Sequence, residues 1–188
     1  VKDLSPKGFT TNPIISDFFS KFGVNGRTRM QVHQGVDIIG YANEPILAMA
    51  DGVVLETASA DCVGPNVVID HGLSFNNKRL ISIYSHTGEY LVEEGEKVKR
   101  GSIIAKLPEK IEHPCMARVR HLHVQIGQEY CGKENKGTWG CQFFIKDLYS
   151  SLNPNDFWLD EMGKVRCFDE KKNFQGGVLT YPFKCNKN

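Results

Sequence analysis

The chain has 188 residues, and 23 Lys+Arg against 22 Asp+Glu leave a formal net charge of +1, so no whole-molecule field draws in nucleic acid or an anionic membrane. A 40% hydrophobic, 10% aromatic composition supplies one good core and excludes disorder and collagen-like repeats. No stretch approaches the roughly 18 apolar residues of a membrane helix, and the opening Val1-Lys2-Asp3, without Met or an apolar signal core, reads as a processed or trimmed product.

In chain order, residues 13–22 have the spacing of a short helix, and a second is expected around 143–152. Between them lie strand-length stretches rich in Val, Ile or Tyr at 35–39, 46–49, 52–55, 66–69, 80–84, 102–107 and 122–126. Turn residues separate them, as in Ala50-Asp51-Gly52, Asp70-His71-Gly72, Asn76-Asn77-Lys78 and Glu94-Gly95-Glu96. The pattern predicts a mainly β fold built on an antiparallel sheet with few short helices. From Asn153 onward the texture becomes a polar tail carrying Trp158, Phe168, Phe174 and Tyr181. Residues 1–15 read as an N-terminal arm, 16–130 as the main domain, and 131–188 as a disulfide-stapled extension whose aromatics pack on the domain's surface.

Cys62, Cys115, Cys131, Cys141, Cys167 and Cys185 form an even set of six, which in a short chain points to disulfides in an oxidising compartment. None has the CxxC spacing of a zinc ribbon or a thioredoxin-like redox motif. About 15 connectivities are open. Cys131 with Cys141 and Cys167 with Cys185 are the locally easy pairs, which leaves Cys62 for Cys115.

Chemistry concentrates in histidines at even spacing. His121-Leu122-His123 on a strand points both imidazoles to one face while Leu122 and Val124 face the other layer. In His33-Gln34-Gly35-Val36-Asp37 the same alternation sets Asp37 opposite the apolar Val36 and Ile38, where a buried carboxylate needs a positive partner. A metal supplies one: two imidazoles, a carboxylate and water make a catalytic zinc shell with one open position. Tyr84 and His86 share a face by alternation, which offers a further acid/base or oxyanion-stabilising histidine, with Tyr84 a weaker candidate.

These residues resemble the lysostaphin/LytM-type zinc metallopeptidases, whose signature is H-x-G-x-D early and H-L-H late in one β-sheet domain of the duplicated-hybrid-motif type. Further blocks stand in family order: Ser16-Asp17-Phe18-Phe19-Ser20-Lys21-Phe22-Gly23, Ala48-Met49-Ala50-Asp51-Gly52-Val53-Val54, Asn66-Val67-Val68-Ile69-Asp70-His71-Gly72, Tyr84-Ser85-His86 and the stretch from Glu94 to Ala105. About residues 16 to 128 are covered. The resemblance implies that His33, Asp37 and His123 ligate one Zn2+ per chain and that His86 and His121 are the catalytic pair. It further implies a zinc endopeptidase cutting peptide cross-links of peptidoglycan outside the cytoplasm. A periplasmic site, with secretion as the alternative, makes D-Ala–diaminopimelate the expected bond. The partner is then a wall peptide, with neither nucleic acid nor a membrane span, and an upstream domain or regulator stays open. The rival reading is a noncatalytic peptidoglycan-binding or amidase-activator module of the same fold, whose relatives have typically lost zinc ligands; none is missing here.

The sequence departs from the family at 108–120, where a Gly/Thr-rich loop is replaced by one holding His113, Pro114, Cys115, Arg118 and Arg120. That loop bears on substrate preference, since Arg118 and Arg120 offer charge to a peptide carboxylate, against the plainer reading of two solvated arginines. His71 is explained by turn chemistry, His113 as loop surface, and Lys97, Lys99 and Arg100 as a solvated hairpin flank.

Overall fold

The computed structural model describes residues 1–60, 62–74, 76–130 and 151–188. Its strands are β1 (Phe9–Thr10), β2 (Ile14–Ser16), β3 (Val36–Ile39), β4 (Pro45–Leu47), β5 (Gly52–Ala60), β6 (Gly64–Leu73), β7 (Arg79–Ser85), β8 (Lys97–Val98), β9 (Ile103–Lys106), β10 (His121–Gly127), β11 (Ser151–Leu152) and β12 (Asn186–Lys187), with a short 3-10 helix at Pro114–Met116 and, among the described residues, one short α-helix, α1 (Asn155–Trp158). The main sheet is antiparallel and runs β2-β3-β10-β7-β6-β5-β8. β10 is its pivot: β3 partners His121–Val124, β7 partners His123–Gly127, and β11 pairs Ile126 and Gly127 beyond β3's reach. Two short antiparallel pairs, β4 with β9 and β1 with β12, complete the β structure among the described residues.

The period of two decides which face each residue takes. Val36, Ile38, Leu122, Val124, Ile126, Tyr84, Val67 and Ile69 fall on one face and join Ile46, Met49 and Ile104 in the main core. The other face carries Asp37, His121 and His123 at one end. A smaller apolar cluster of Val68, Ile81 and Ile83, flanked by Leu55 and Tyr130, lies on the remainder.

The expected strands all form, and two run longer than their apolar stretches, to residues 52–60 and 64–73. The helix expected over 13–22 does not form. Ile14–Ser16 is instead an edge strand on β3, with Ile14 and Ser16 buried, because β-branched residues beside an open sheet edge gain more from pairing and burial than from one helical turn. Of the segment around 143–152, residues 143–150 lie outside the described residues and Ser151–Leu152 is strand β11.

Of the C-terminal aromatics expected on the domain's surface, Phe168 and Phe174 stay half-buried outside the core, whereas Trp158 and Tyr181 help complete it. Phe157, Trp158, Val165, Leu179, Tyr181 and Phe183 belong to the same buried cluster as the sheet, with Trp158 and Tyr181 packed edge to face at 5.3 Å. The sheet's core face is apolar and needs a second layer, which these residues supply. Arg100 also departs from the solvated flank. Its guanidinium donates to Met49 O (2.5 Å) and Val178 O (2.8 Å) and lies 4.5 Å from the Phe174 ring, so it ties residues 174–178 to the sheet. Gly101 beside it has φ +81, and a Cβ there would stand 2.2 Å from the Phe168 ring. Lys99 stays at the surface, paired with Asp51 at 2.9 Å.

Cys62 is bonded to Cys115 and Cys167 to Cys185. The expected Cys131–Cys141 pair lies outside the described residues. No helix among the described residues is long and apolar enough to cross a membrane.

Candidate metal centre

Asp37 on β3 and His123 on β10 are directly opposed in the ladder, so both side chains rise from the same spot on one face. Their approach is close, with His123 Nδ1 2.9 Å from Asp37 Oδ1. His33 joins from outside the sheet. Its backbone N–H donates to Ser20 O and its carbonyl accepts from Phe19 N–H, which pins the segment before β3 to the stretch 17–20. From there His33 Nε2 comes within 3.0 Å of both His123 Nδ1 and Asp37 Oδ1. Gly35 permits this approach, since a Cβ there would meet Val124 O at 2.3 Å and the His123 ring at 2.8 Å.

Three buried donor atoms therefore face one another at 2.9–3.0 Å. Ligands held about 2.0–2.1 Å from a tetrahedral zinc stand about 3.3 Å apart, so this trio fits such an ion with small adjustments. Among the described residues it is the only cluster of His, Cys, Asp or Glu that could hold a metal ion, with its donor atoms within 4.8 Å of one another. The hydrogen bonds behind each ring fit as well. His33 Nδ1–H donates to Asp17 O (2.9 Å), leaving Nε2 as the lone-pair nitrogen; His123 Nε2 faces Gln125 Oε1 at 3.5 Å, leaving Nδ1 for the trio.

Burial alone would raise the Asp37 carboxyl, but His33, His121 and His123 hold it well below the usual carboxylate range. Arg29 adds a full charge: its guanidinium donates to Asp37 Oδ2 and Ser16 Oγ, both at 3.1 Å, and its Nε–H donates to Phe22 O. Oδ2 is thereby engaged and Oδ1 is left turned to the imidazoles. Burial lowers His123, against the raising effect of Asp37, and so favours the neutral ring that a metal requires.

His86 and His121 complete the cluster, their rings 4.8 Å apart and edge to face. His121 Nδ1–H donates to Val119 O (2.7 Å), while Nε2 lies 3.7 Å from Asp37 Oδ1. His86 Nδ1–H donates to Val63 O (2.8 Å), so Nε2 carries its lone pair. Burial and the neighbouring imidazoles push His86 down to about 3, so its ring is neutral at working pH. All five residues line one cavity of about 100 Å3, which Gly23, Val24, Cys115 and Ala117 also line.

The structure brings all five expected residues together but corrects the reason for one. Tyr84 does not share a face with His86: it points into the main core, where its hydroxyl accepts from Met49 N–H (2.9 Å) and burial raises it to about 12. His86 lies just past the end of β7 with φ +64, and this left-handed residue breaks the alternation and redirects the side chain to the His121 side. His71 is not a turn residue either; it sits in β6 with both ring nitrogens bonded, to Asp51 O and Ser82 Oγ. Arg120 is held by Pro108 O and Glu109 O. Sequence reasoning missed Arg29, Ser16 and Gln125. The need of a buried Asp37 for positive charge was a signal for Arg29, but nothing in the spacing singled it out from Arg27.

The model of "Peptidase family M23" matches residues 31–135, more than half of the chain. A "Lipoprotein NlpD/LppB homolog" of Pseudomonas aeruginosa is 32% identical over 96 residues, 50% of this chain and 29% of the relative. "Peptidoglycan DD-endopeptidase ShyA" of Vibrio cholerae is 34% identical over 76 residues, 40% of this chain and 16% of that one. The chain thus spans less than a third of these relatives' length. Among solved structures, LytU superposes with a TM-score of 0.53 at 21% identity, covering 80% of this chain and 87% of that one. The solution structure of lysostaphin gives a TM-score of 0.52 at 18% identity, covering 76% of this chain and 48% of that one; both likenesses concern the fold. With its H-x-G-x-D and H-L-H segments meeting across β3 and β10, and the family model matched over them, this chain belongs to peptidase family M23.

Proposed function

We propose that this chain is a zinc endopeptidase that hydrolyses peptide cross-links of bacterial peptidoglycan, with His33, Asp37 and His123 as ligands. The observation that carries the reading is the convergence of those three donors beside two further imidazoles, each with one ring nitrogen held by a backbone carbonyl. Zinc, when bound, lowers the pKa of a coordinated water toward 7 and polarises the scissile carbonyl. The chain's own residues do the rest. Arg29 and the backbone around Asp17 fix the ligands, so little reorganisation is left for the reaction. His121, with Nε2 nearest the trio, accepts the proton of the attacking water and, as the imidazolium so formed, returns it to the leaving amine; neutral His86, in its Nε2–H tautomer, donates a hydrogen bond to the developing oxyanion.

The substrate class draws on the V. cholerae relative, whose name states a peptidoglycan DD-endopeptidase. Disulfides Cys62–Cys115 and Cys167–Cys185 fit an oxidising, extracytoplasmic compartment, and a periplasmic site makes D-Ala–diaminopimelate the proposed bond. The residue division 1–15, 16–130 and 131–188 is kept as the proposed organisation, with the last part sharing the core of the second.

Zinc analysis with digestion of purified cross-linked wall peptides tests the reading. The protein is expected to hold one zinc and cut; His33→Ala loses both metal and cleavage, and His121→Ala keeps the metal and loses cleavage. Zinc binding without cleavage of any wall peptide moves the chain to a noncatalytic wall-binding or activator role, and absence of zinc binding overturns the metallopeptidase reading.

A further inference from the structure

We propose that Arg27 and Arg118 form a subsite for a free carboxylate of the peptide substrate, one cavity removed from the metal centre. The inference rests on the peptidase reading and adds the charge that the substrate must carry. At about 100 Å3 the central cavity has room for roughly three waters, enough for a scissile bond and not for the peptide flanking it. The flanking residues must lie in whatever space adjoins it.

One such space is a cavity of about 680 Å3 reached across the turn at Ala117, which lines both. Its walls come from the two segments that also line the central cavity. Asn25 and Arg27 follow directly on Val24, and Pro114 and Arg118 flank Cys115 and Ala117. A peptide leaving the centre on this side passes between Arg27 and Arg118. Both are exposed, and among the described residues neither side chain has an ion pair or hydrogen bond. Glu112 is the one carboxylate among the lining residues, so the two guanidinium groups leave the cavity with excess positive charge.

The neighbouring arginines show that this is not generic. Arg29 is committed to Asp37 and Ser16, and Arg120 to Pro108 O and Glu109 O, so each has a structural duty. Arg27 and Arg118 alone of the four arginines of these two segments keep their forked donors for a ligand. A planar guanidinium matches a carboxylate through two parallel hydrogen bonds, and peptides offer carboxylates at side chains and termini.

The test uses the zinc-loaded protein, a cross-linked wall peptide, and versions of it in which each free carboxylate in turn is a carboxamide. One carboxamide version is expected to show a KM about tenfold higher at unchanged kcat, in line with loss of a charge-assisted hydrogen bond. Arg27→Gln and Arg118→Gln each remove about threefold of that difference and together abolish it, while Arg120→Gln keeps it. Equal KM for every version, or discrimination that survives the double substitution, overturns the subsite and leaves the peptidase standing. If no version is cut, fluorescence anisotropy of the same labelled peptides separates the two claims. A tenfold binding preference for one carboxylate, lost in the double variant, keeps the subsite and overturns the peptidase; equal or absent binding overturns the subsite.

Discussion

At the β5–β6–β7 flank, His71 commits both ring nitrogens to Asp51 O and Ser82 Oγ, and Arg100 commits its guanidinium to Met49 O and Val178 O. At the β3–β10 end, His33, His86 and His121 each use one ring nitrogen on a backbone carbonyl and keep the other for the cavity they share. Both regions gather histidine, arginine and aspartate on the same sheet. In the first the polar groups satisfy one another, which is what a stable polar network requires. In the second the donor atoms of three residues converge on one point, which is favourable only if something positive stands there. Convergence of lone pairs, more than burial or the presence of histidine, separates a candidate site from scaffolding.

Substitutions that respect this contrast should separate activity from stability. The largest effect is expected from His86→Ala, which keeps zinc and lowers kcat on wall peptides by about 10²- to 10³-fold, the range for a lost oxyanion donor. The corresponding His71→Ala leaves kcat unchanged, and a comparable loss there would erase the distinction. Arg100→Ala is next, with about 2 kcal/mol of stability lost as two carbonyl contacts and the packing on Phe174 disappear, measured by urea unfolding with zinc content constant. Arg29→Gln tests the opposite corner: it takes the cation from Asp37 Oδ2, and zinc affinity in a chelator competition should fall about tenfold with little change in thermal midpoint.

The smallest effect concerns pH. Burial lowers His71 to about 4 from an unfolded value near 6.5, so the unfolded chain binds a proton between those values that the folded chain does not. Stability from this residue is complete above about pH 6.5 and lost as pH falls toward 4. With the ring half-buried, solvent screening reduces the loss to about 1 kcal/mol. Urea unfolding of metal-free wild type and His71→Gln at pH 7 and pH 4.5 isolates it. The two proteins should converge in stability at the lower pH, and a constant difference between them would assign the shift elsewhere.

Much of the site was legible in the sequence because strand alternation is a local rule. The i, i+2 pairing of His121 with His123, and the placing of Asp37 against Val36 and Ile38, follow from the pleat and needed no knowledge of the neighbours. His86 was singled out by alternation, on a face it does not share with Tyr84, and given its role by resemblance; one residue at φ +64 reverses a period-two argument and leaves no mark in the composition. Ile14–Ser16 looked helical because spacing in a short window cannot register an open strand edge 22 residues later in the chain. Arg27, Arg29, Arg118 and Arg120 were indistinguishable as letters. Their separation into one clamp on Asp37, one loop brace and two unengaged guanidinium groups depends on which carbonyls and carboxylates lie within about 3 Å of each.

The sequence by itself determined the mainly β architecture, which rests on period and local turn chemistry, and, through the resemblance carried by its H-x-G-x-D and H-L-H segments, the family. Tertiary structure alone decided that residues from Phe157 to Phe183 close the core, that Arg100 fastens them, and that Gly23, Val24, Cys115 and Ala117 line the cavity of the candidate site. Those are contacts between segments far apart in the chain. Their existence follows from an apolar sheet face that must be covered and from backbone groups that must be paired, and no local pattern specifies which distant residue does either.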